Sequence, residues 1–117
     1  MPAIGGIAFG PLVLQDALFE NMDLETMELV LEPKVEGARH LNDLFFDHDL
    51  DFFVMFSSLV MVGGNPGQSN YSAANAYMRT IAAQRRKRGL AVSQTSAYTS
   101  YRILLTIVST YRHLVST

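Results

Sequence analysis

Short apolar runs alternate along this chain with longer stretches whose apolar positions recur every three or four residues. The run "IGGIAFG" (4–10) is apolar and glycine-punctuated, and reads as a buried strand followed by a loop. A connector, "PLVLQDALFENM", leads to Asp23, which is placed to cap a helix, with Glu25 favourable in its first turn. Met27, Leu31, Lys34, Ala38, Leu41 and Phe45 then step by four, three, four, three, four: one face of a helix reaching to about Phe46. Pro33 lies within that pattern and lacks a backbone donor, which predicts a kink or irregular turn. The continuous run "DFFVMFSS" (51–58) suits a parallel strand buried on both faces. "LVMVGGNPG" (59–67) ends in turn signals, and a helix follows from about Gln68 to Arg88. It closes on "RRKR" and then Gly89, cations followed by glycine being the expected helix ending. "LAVSQTSAY" (90–98) begins as a further apolar strand. Strand, helix, strand, helix, strand predicts an α/β fold, a parallel sheet with flanking helices. There is no internal repeat, low-complexity tract or linker.

Composition narrows the function classes. The 117 residues suffice for one small domain, and 49% hydrophobic with 17% charged residues is a globular balance. A net charge of -2 gives no general basic surface, so nucleic acid is not an expected partner. The absence of cysteine excludes disulfides and thiolate metal sites. The apolar N-terminus lacks the basic residues of a signal peptide, and no run approaches the roughly 18 apolar residues of a membrane helix. A cytoplasmic protein with no membrane partner is the expectation. "RRKR" reads as a solvated helix end, the six methionines as core filler, and His40, His48 and His113, without ligand spacing, as structural or surface residues.

The chemistry lies in "GQSNYSAANAY" (67–77). Tyr71 and Asn75 are four apart and share a helix face, among serines and alanines. Ligands of open parallel sheets bind at the carboxyl ends of the strands. There Ser57 and Ser58 end the strand "DFFVMF", the next helix begins with Tyr71 and Asn75, and Lys34 lies on the preceding helix. A serine hydroxyl can hold a substrate carbonyl, a phenol can protonate it as hydride arrives, and an ammonium can lower the phenol pKa by stabilising phenolate. The amide can order a water or orient the lysine. Ala73, Ala74 and Ala76 leave room for a flat cofactor and let the helix pack closely. Taken singly, each polar residue has a plainer role: a core tyrosine, a locally bonded asparagine, a snorkelling lysine, strand-ending serines. Their joint spacing favours a site.

"PKVEGARHLNDLF", "LDFFVMFSS" and "NPGQSNYSAANAYMRTIAAQRRKRGL" together resemble the ketoreductase domain of polyketide synthases, and are most similar to the highly reducing iterative synthases of filamentous fungi. "IGGIAFGPLVLQDALFENM" resembles the segment just upstream. The likeness covers about residues 3 to 93, with Ser58 and Tyr71 thirteen apart and Tyr71 and Asn75 four apart, as in that family. The resemblance implies a partial Rossmann-like short-chain dehydrogenase/reductase fold and NADPH-dependent reduction of a β-ketoacyl thioester to a β-hydroxyacyl thioester. The substrate would ride on an acyl carrier protein, with the other domains of the parent synthase as partners. By the same resemblance Tyr71 matches the proton donor and Ser58 the carbonyl-binding hydroxyl. Lys34 matches the lysine these ketoreductases place on the earlier helix, and Asn75 the asparagine standing where simpler relatives have that lysine. Tyr71 and Lys34 would also meet the nicotinamide side of the cofactor. "LQD" (14–16) stands where many ketoreductases of one stereochemical type carry Leu-Asp-Asp. Asp16 matches its last position and Gln15 departs from its middle one. Gly63 occupies a site where the opposite type has tryptophan.

The chain departs from the family in two places. Its glycine-rich dinucleotide fingerprint belongs upstream of residue 1, and no G-x-G-x-x-G occurs here. After Ser93, "QTSAYTSYRILLTIVSTYRHLVST" replaces the expected strand and the Gly-rich segment that touches the nicotinamide. Residues 1–98 therefore read as the C-terminal catalytic half of a ketoreductase, and 99–117 as a divergent tail of a gene-model fragment. Alone, the 117 residues are expected neither to bind NADPH nor to reduce thioesters. Two alternatives stand beside this: a non-catalytic structural fragment, against which the retained Ser58, Tyr71, Asn75 and Lys34 argue, and a free-standing short-chain dehydrogenase, against which Asn75 argues.

Overall fold

The computed structural model describes residues 3–96; the tail 99–117 and His113 lie outside the described residues. The described chain runs β1 (Gly6–Phe9), a 3-10 turn (Phe19–Asn21), α1 (Leu24–Leu44), β2 (Phe52–Ser57), α2 (Val60–Gly63), α3 (Ser69–Lys87) and β3 (Ser93–Ser96). The three strands form one parallel sheet in the order β1-β2-β3. Gly6 to Phe9 pair with Phe52 to Met55, and Val54 to Ser57 pair with Ser93 to Ser96. The α/β expectation therefore holds, as two successive β-α-β crossovers.

Local chemistry explains the helix ends. The Asp23 carboxylate accepts from the Thr26 amide at 2.8 Å, capping α1. That bond holds the Asp23 carboxyl below its usual range. The helix continues through Pro33, so no irregular turn interrupts it there. At the far end of α3, Leu90 N–H donates to Arg85 O at 3.0 Å and Gly89 N–H to Arg86 O at 3.0 Å. Gly89 turns at φ 72, so the two bonds form a Schellman ending. Closing the helix occupies Leu90, and β3 begins at Ser93 rather than at Leu90.

The core lies where α1 and α3 cover the sheet. Ala38 of α1 and Phe45 at its C-cap, Phe53 and Met55 of β2, and Met78, Ile81 and Ala82 of α3 are buried together with Leu50. Burying each large side chain stabilises by about 1.5–3 kcal/mol. β2 is the buried strand that its apolar run predicts. β1 is not: it is an outer strand among the described ones, and only its Ile7 and Phe9 pack against the core. The apolar face of α1 is also rotated slightly from the sequence pattern, with Val30, Lys34, Ala38 and Asn42 as its buried line.

The "RRKR" segment needs a correction. Arg86, Lys87 and Arg88 are exposed, but Arg85 is only 1% exposed. Its guanidinium stacks 4.3 Å above the Phe53 ring centroid, and it donates to Ala91 O and to Asn42 Oδ1, each at 3.2 Å. Position 85 falls on the buried face of α3, with Ala74, Met78, Ile81 and Ala82, so the first cation of the run enters the core.

Candidate active site

Three elements converge at the carboxyl end of β2, where parallel sheets present ligand sites. α1 supplies Lys34, 3% exposed, in the line between Val30 and Ala38. Its ammonium donates to Phe56 O at 3.0 Å and lies 5.5 Å from the Tyr71 ring centroid. Burial pushes its pKa down to about 8, because the charged form loses hydration. Among the described residues no carboxylate lies within ion-pair reach of it.

α3 supplies Tyr71, half-buried, and Asn75, fully buried, one turn apart. Asn75 Nδ2 donates to Tyr71 O at 2.9 Å, and its Oδ1 is buried without a partner. The Asn75 carbonyl accepts from Gln94 Nε2 of β3 at 2.9 Å. Ser57 Oγ, at the end of β2, is likewise buried and unpaired.

Ser58 follows β2 directly. Its Oγ accepts from Val60 N at 3.3 Å, while Ser72 Oγ, next to Tyr71, donates to Val60 O at 3.3 Å. Val60 thus links the Ser58 hydroxyl to the first turn of α3. A hydroxyl that accepts at its oxygen still has its proton to donate, so Ser58 keeps the capacity to hold a carbonyl.

The structure brings Lys34, Tyr71, Asn75 and Ser58 to one end of the sheet. The alanines divide: Ala74 is fully buried and packs the helix, whereas Ala73 and Ala76 are exposed. Asp16 lies at the rim, its carboxylate accepting from Gln68 Nε2 at 3.1 and 3.3 Å. Gly63 ends α2 in open space, with room for a side chain. Sequence reasoning missed Asn70, Gln68 and Gln94, which tie these elements together. Asn70 precedes the tyrosine in the quoted motif, and its polarity in the first turn of a helix was the available signal.

The residues fit one end of a dinucleotide. An ammonium 5.5 Å from the Tyr71 ring, with the unpaired Asn75 Oδ1 one turn along the same helix as that ring, suits the hydroxyl- and amide-rich nicotinamide half. The pyrophosphate half needs a glycine-rich strand-to-helix turn, and the 117 residues contain no such sequence. Among the described residues no group of three or more acidic or histidine side chains could hold a metal, and no helix is long and apolar enough to cross a membrane.

A parallel sheet with serine, tyrosine and lysine gathered at its carboxyl edge defines a Rossmann-like short-chain reductase architecture. The chain belongs to the KR domain family, whose model matches residues 1–98. It is 63% identical over 97 residues to the lovastatin nonaketide synthase mokA of Monascus pilosus, an alignment that covers 80% of this chain and 3% of that protein. Among solved structures, A-type ketoreductases from a modular polyketide synthase match with a TM-score of 0.67 and 42% identity, over 69% of this chain and 17% of theirs. An N-terminal ketoreductase from the macrolactin assembly line matches with a TM-score of 0.71 and 37% identity, over 79% of this chain and 19% of that one. The chain thus spans about 3% of the length of the curated relative.

Proposed function

We propose that these residues form the catalytic half of a ketoreductase that reduces a β-ketoacyl thioester to a β-hydroxyacyl thioester during polyketide assembly. The observation that carries this reading is the Lys34 ammonium, buried 5.5 Å from the Tyr71 ring and without a carboxylate partner among the described residues. NADPH, when bound, supplies the hydride to the carbonyl carbon. Ser58 donates its hydroxyl proton in a hydrogen bond to the carbonyl oxygen and orients it. Tyr71 transfers its phenolic proton to that oxygen, which balances the hydride and leaves an alcohol. The Lys34 ammonium stabilises the phenolate left on Tyr71. Asn75 fixes the first turn of α3 through the Tyr71 carbonyl and offers Oδ1 to a water that returns the proton.

In this reading Asp16 and Gly63 bias which carbonyl face is presented. The substrate arrives on an acyl carrier protein, and the domain works in the cytoplasm beside the other domains of its synthase. The naming of the similar proteins as polyketide synthases and ketoreductases supports this setting; the choice of NADPH rests on the family resemblance. The test is Tyr71→Phe in an intact ketoreductase that carries these residues. NADPH oxidation with a β-ketoacyl thioester analogue is expected to fall by about 10²–10⁴-fold, with NADPH affinity nearly unchanged. A rate within a few-fold of the parent removes Tyr71 from the mechanism.

A further inference from the structure

Asn70 is fully buried, and its carboxamide joins three parts of the chain. Nδ2 donates to Gln15 O of the connector at 3.0 Å and to Thr26 O in the first turn of α1 at 3.4 Å. Oδ1 accepts from the Tyr71 amide at 2.8 Å. The first amides of a helix have no intrahelical partner and need one from elsewhere. In α3 the N-cap residue, Gln68, makes no capping bond. Its side chain is engaged with Asp16 and Asn65 instead. Asn70 therefore satisfies the Tyr71 amide from inside the helix. The same connector meets α3 again where Ala17 N–H donates to Gly67 O at 3.0 Å. Gly67 adopts φ 81, and the Ala17 backbone lies 3.7 Å from where its Cβ would stand.

Thr26 and Lys34 are eight residues apart on α1, about two helical turns. One end of the Asn70 carboxamide thus grips the helix that carries Lys34, and the other grips the main chain of Tyr71. We infer that Asn70 is a positioning residue that sets the spacing of the Lys34 ammonium from the Tyr71 phenol. The inference rests on the ketoreductase reading above. Ser58 and Asn75 reach Tyr71 through α2 and through α3 itself; Asn70 bonds α1 directly to it.

The experiment places Asn70→Ala, Asn70→Ser and Asn70→Asp in the intact ketoreductase, alone and together with Tyr71→Phe. Misplacement of a catalytic group by about 1 Å lowers rates by about 10²-fold. Asn70→Ala is accordingly expected to lower kcat by about 10–100-fold, with the KM for the thioester analogue and the NADPH Kd within about threefold of the parent. Asn70→Ser keeps a group that can both accept and donate and is expected to recover part of that loss. Asn70→Asp keeps the acceptor for the Tyr71 amide but turns a carboxylate towards Gln15 O and Thr26 O, and is expected to recover none. In the Tyr71→Phe background the Asn70 substitutions are expected to lower the rate no further, because they act through the phenol. A folded Asn70 variant with parental kcat, or losses that multiply in the double variant, overturns the inference. Where the variants do not fold, amide hydrogen exchange on the unsubstituted enzyme decides: slow exchange at Tyr71 relative to Ser69 supports the clamp, and equally fast exchange overturns it. A parent enzyme that ignores the thioester, or a fully active Tyr71→Phe, rejects the functional reading instead.

Discussion

Lys34 and Arg85 are both buried cations, 3% and 1% exposed, and neither has a carboxylate partner among the described residues. Arg85 spreads its charge over two carbonyl-type acceptors and the face of Phe53. A delocalised guanidinium suits that setting, being weakly hydrated and flat enough to stack. It joins α1, α3 and the approach to β3 at the end of the sheet opposite the site. Lys34 has one acceptor, Phe56 O, and a phenol ring beside it. A point charge so sparsely bonded remains available to a neighbour that becomes negative. Burial alone does not mark a functional cation; the partners do. Arg85 is spread over two acceptors and a ring on separate elements, which suits an architectural role, although its second terminal nitrogen is buried without a partner. Lys34, held against an ionisable ring, is the one proposed for chemistry.

Replacing each cation by an uncharged chain separates the two roles. Lys34→Met is expected to lower ketoreduction by about 10²–10³-fold, the range for loss of one preorganised electrostatic donor, while the melting temperature at neutral pH stays level or rises. The pH dependence sharpens this. Desolvation holds the folded-state pKa of Lys34 at about 8, below its ordinary 10.5. The unfolded chain therefore holds this proton between those values when the folded chain has lost it, and stability gains from Lys34 as pH rises through that window. In the proposed mechanism activity is expected to move the other way, because the ammonium assigned to support phenolate is lost above about pH 8. Rate and denaturation profiles measured together are expected to diverge there, and both dependences are expected to disappear in Lys34→Met.

Arg85→Ala is expected to behave oppositely, lowering stability by about 2–4 kcal/mol because Asn42 Oδ1 and Ala91 O lose a charged donor. Denaturant unfolding measures that loss. Under conditions where the variant remains folded, kcat is expected to stay near the parent value; a large selective fall in kcat would break the contrast between the cations. The smallest effect belongs to Gly89→Ala, which forces a side chain to φ 72 at the end of α3. A loss of about 1 kcal/mol is expected there, without change in the rate per folded molecule. Thermal unfolding beside the active-site assay checks both.

Much of the fold was legible locally. The apolar run 51–58 identified β2 because burial on both faces leaves no alternation to read. Asp23 and Gly89 marked helix ends because capping is a property of neighbouring residues. Tyr71, Asn75 and Lys34 stood out as polar residues at helical spacing among small or apolar ones. The error at Arg85 arose because a run of four cations has the same composition whether or not one enters the core. Only the phase of α3 against β2 turns position 85 inward.

The sequence by itself determined the order of elements, their caps and the residue types available for chemistry, because these depend on interactions a few positions long. Tertiary structure alone decided which charges meet. Lys34 reaches Phe56 O across 22 positions, Asn70 reaches Gln15 O across 55, and Arg85 reaches Asn42 across 43. Such bonds depend on how α1 and α3 lie against the sheet, which is fixed by the packing of Ala38, Phe53, Met55 and Met78 and not by any local pattern. The same packing removes water from around Lys34, and that desolvation lowers its pKa.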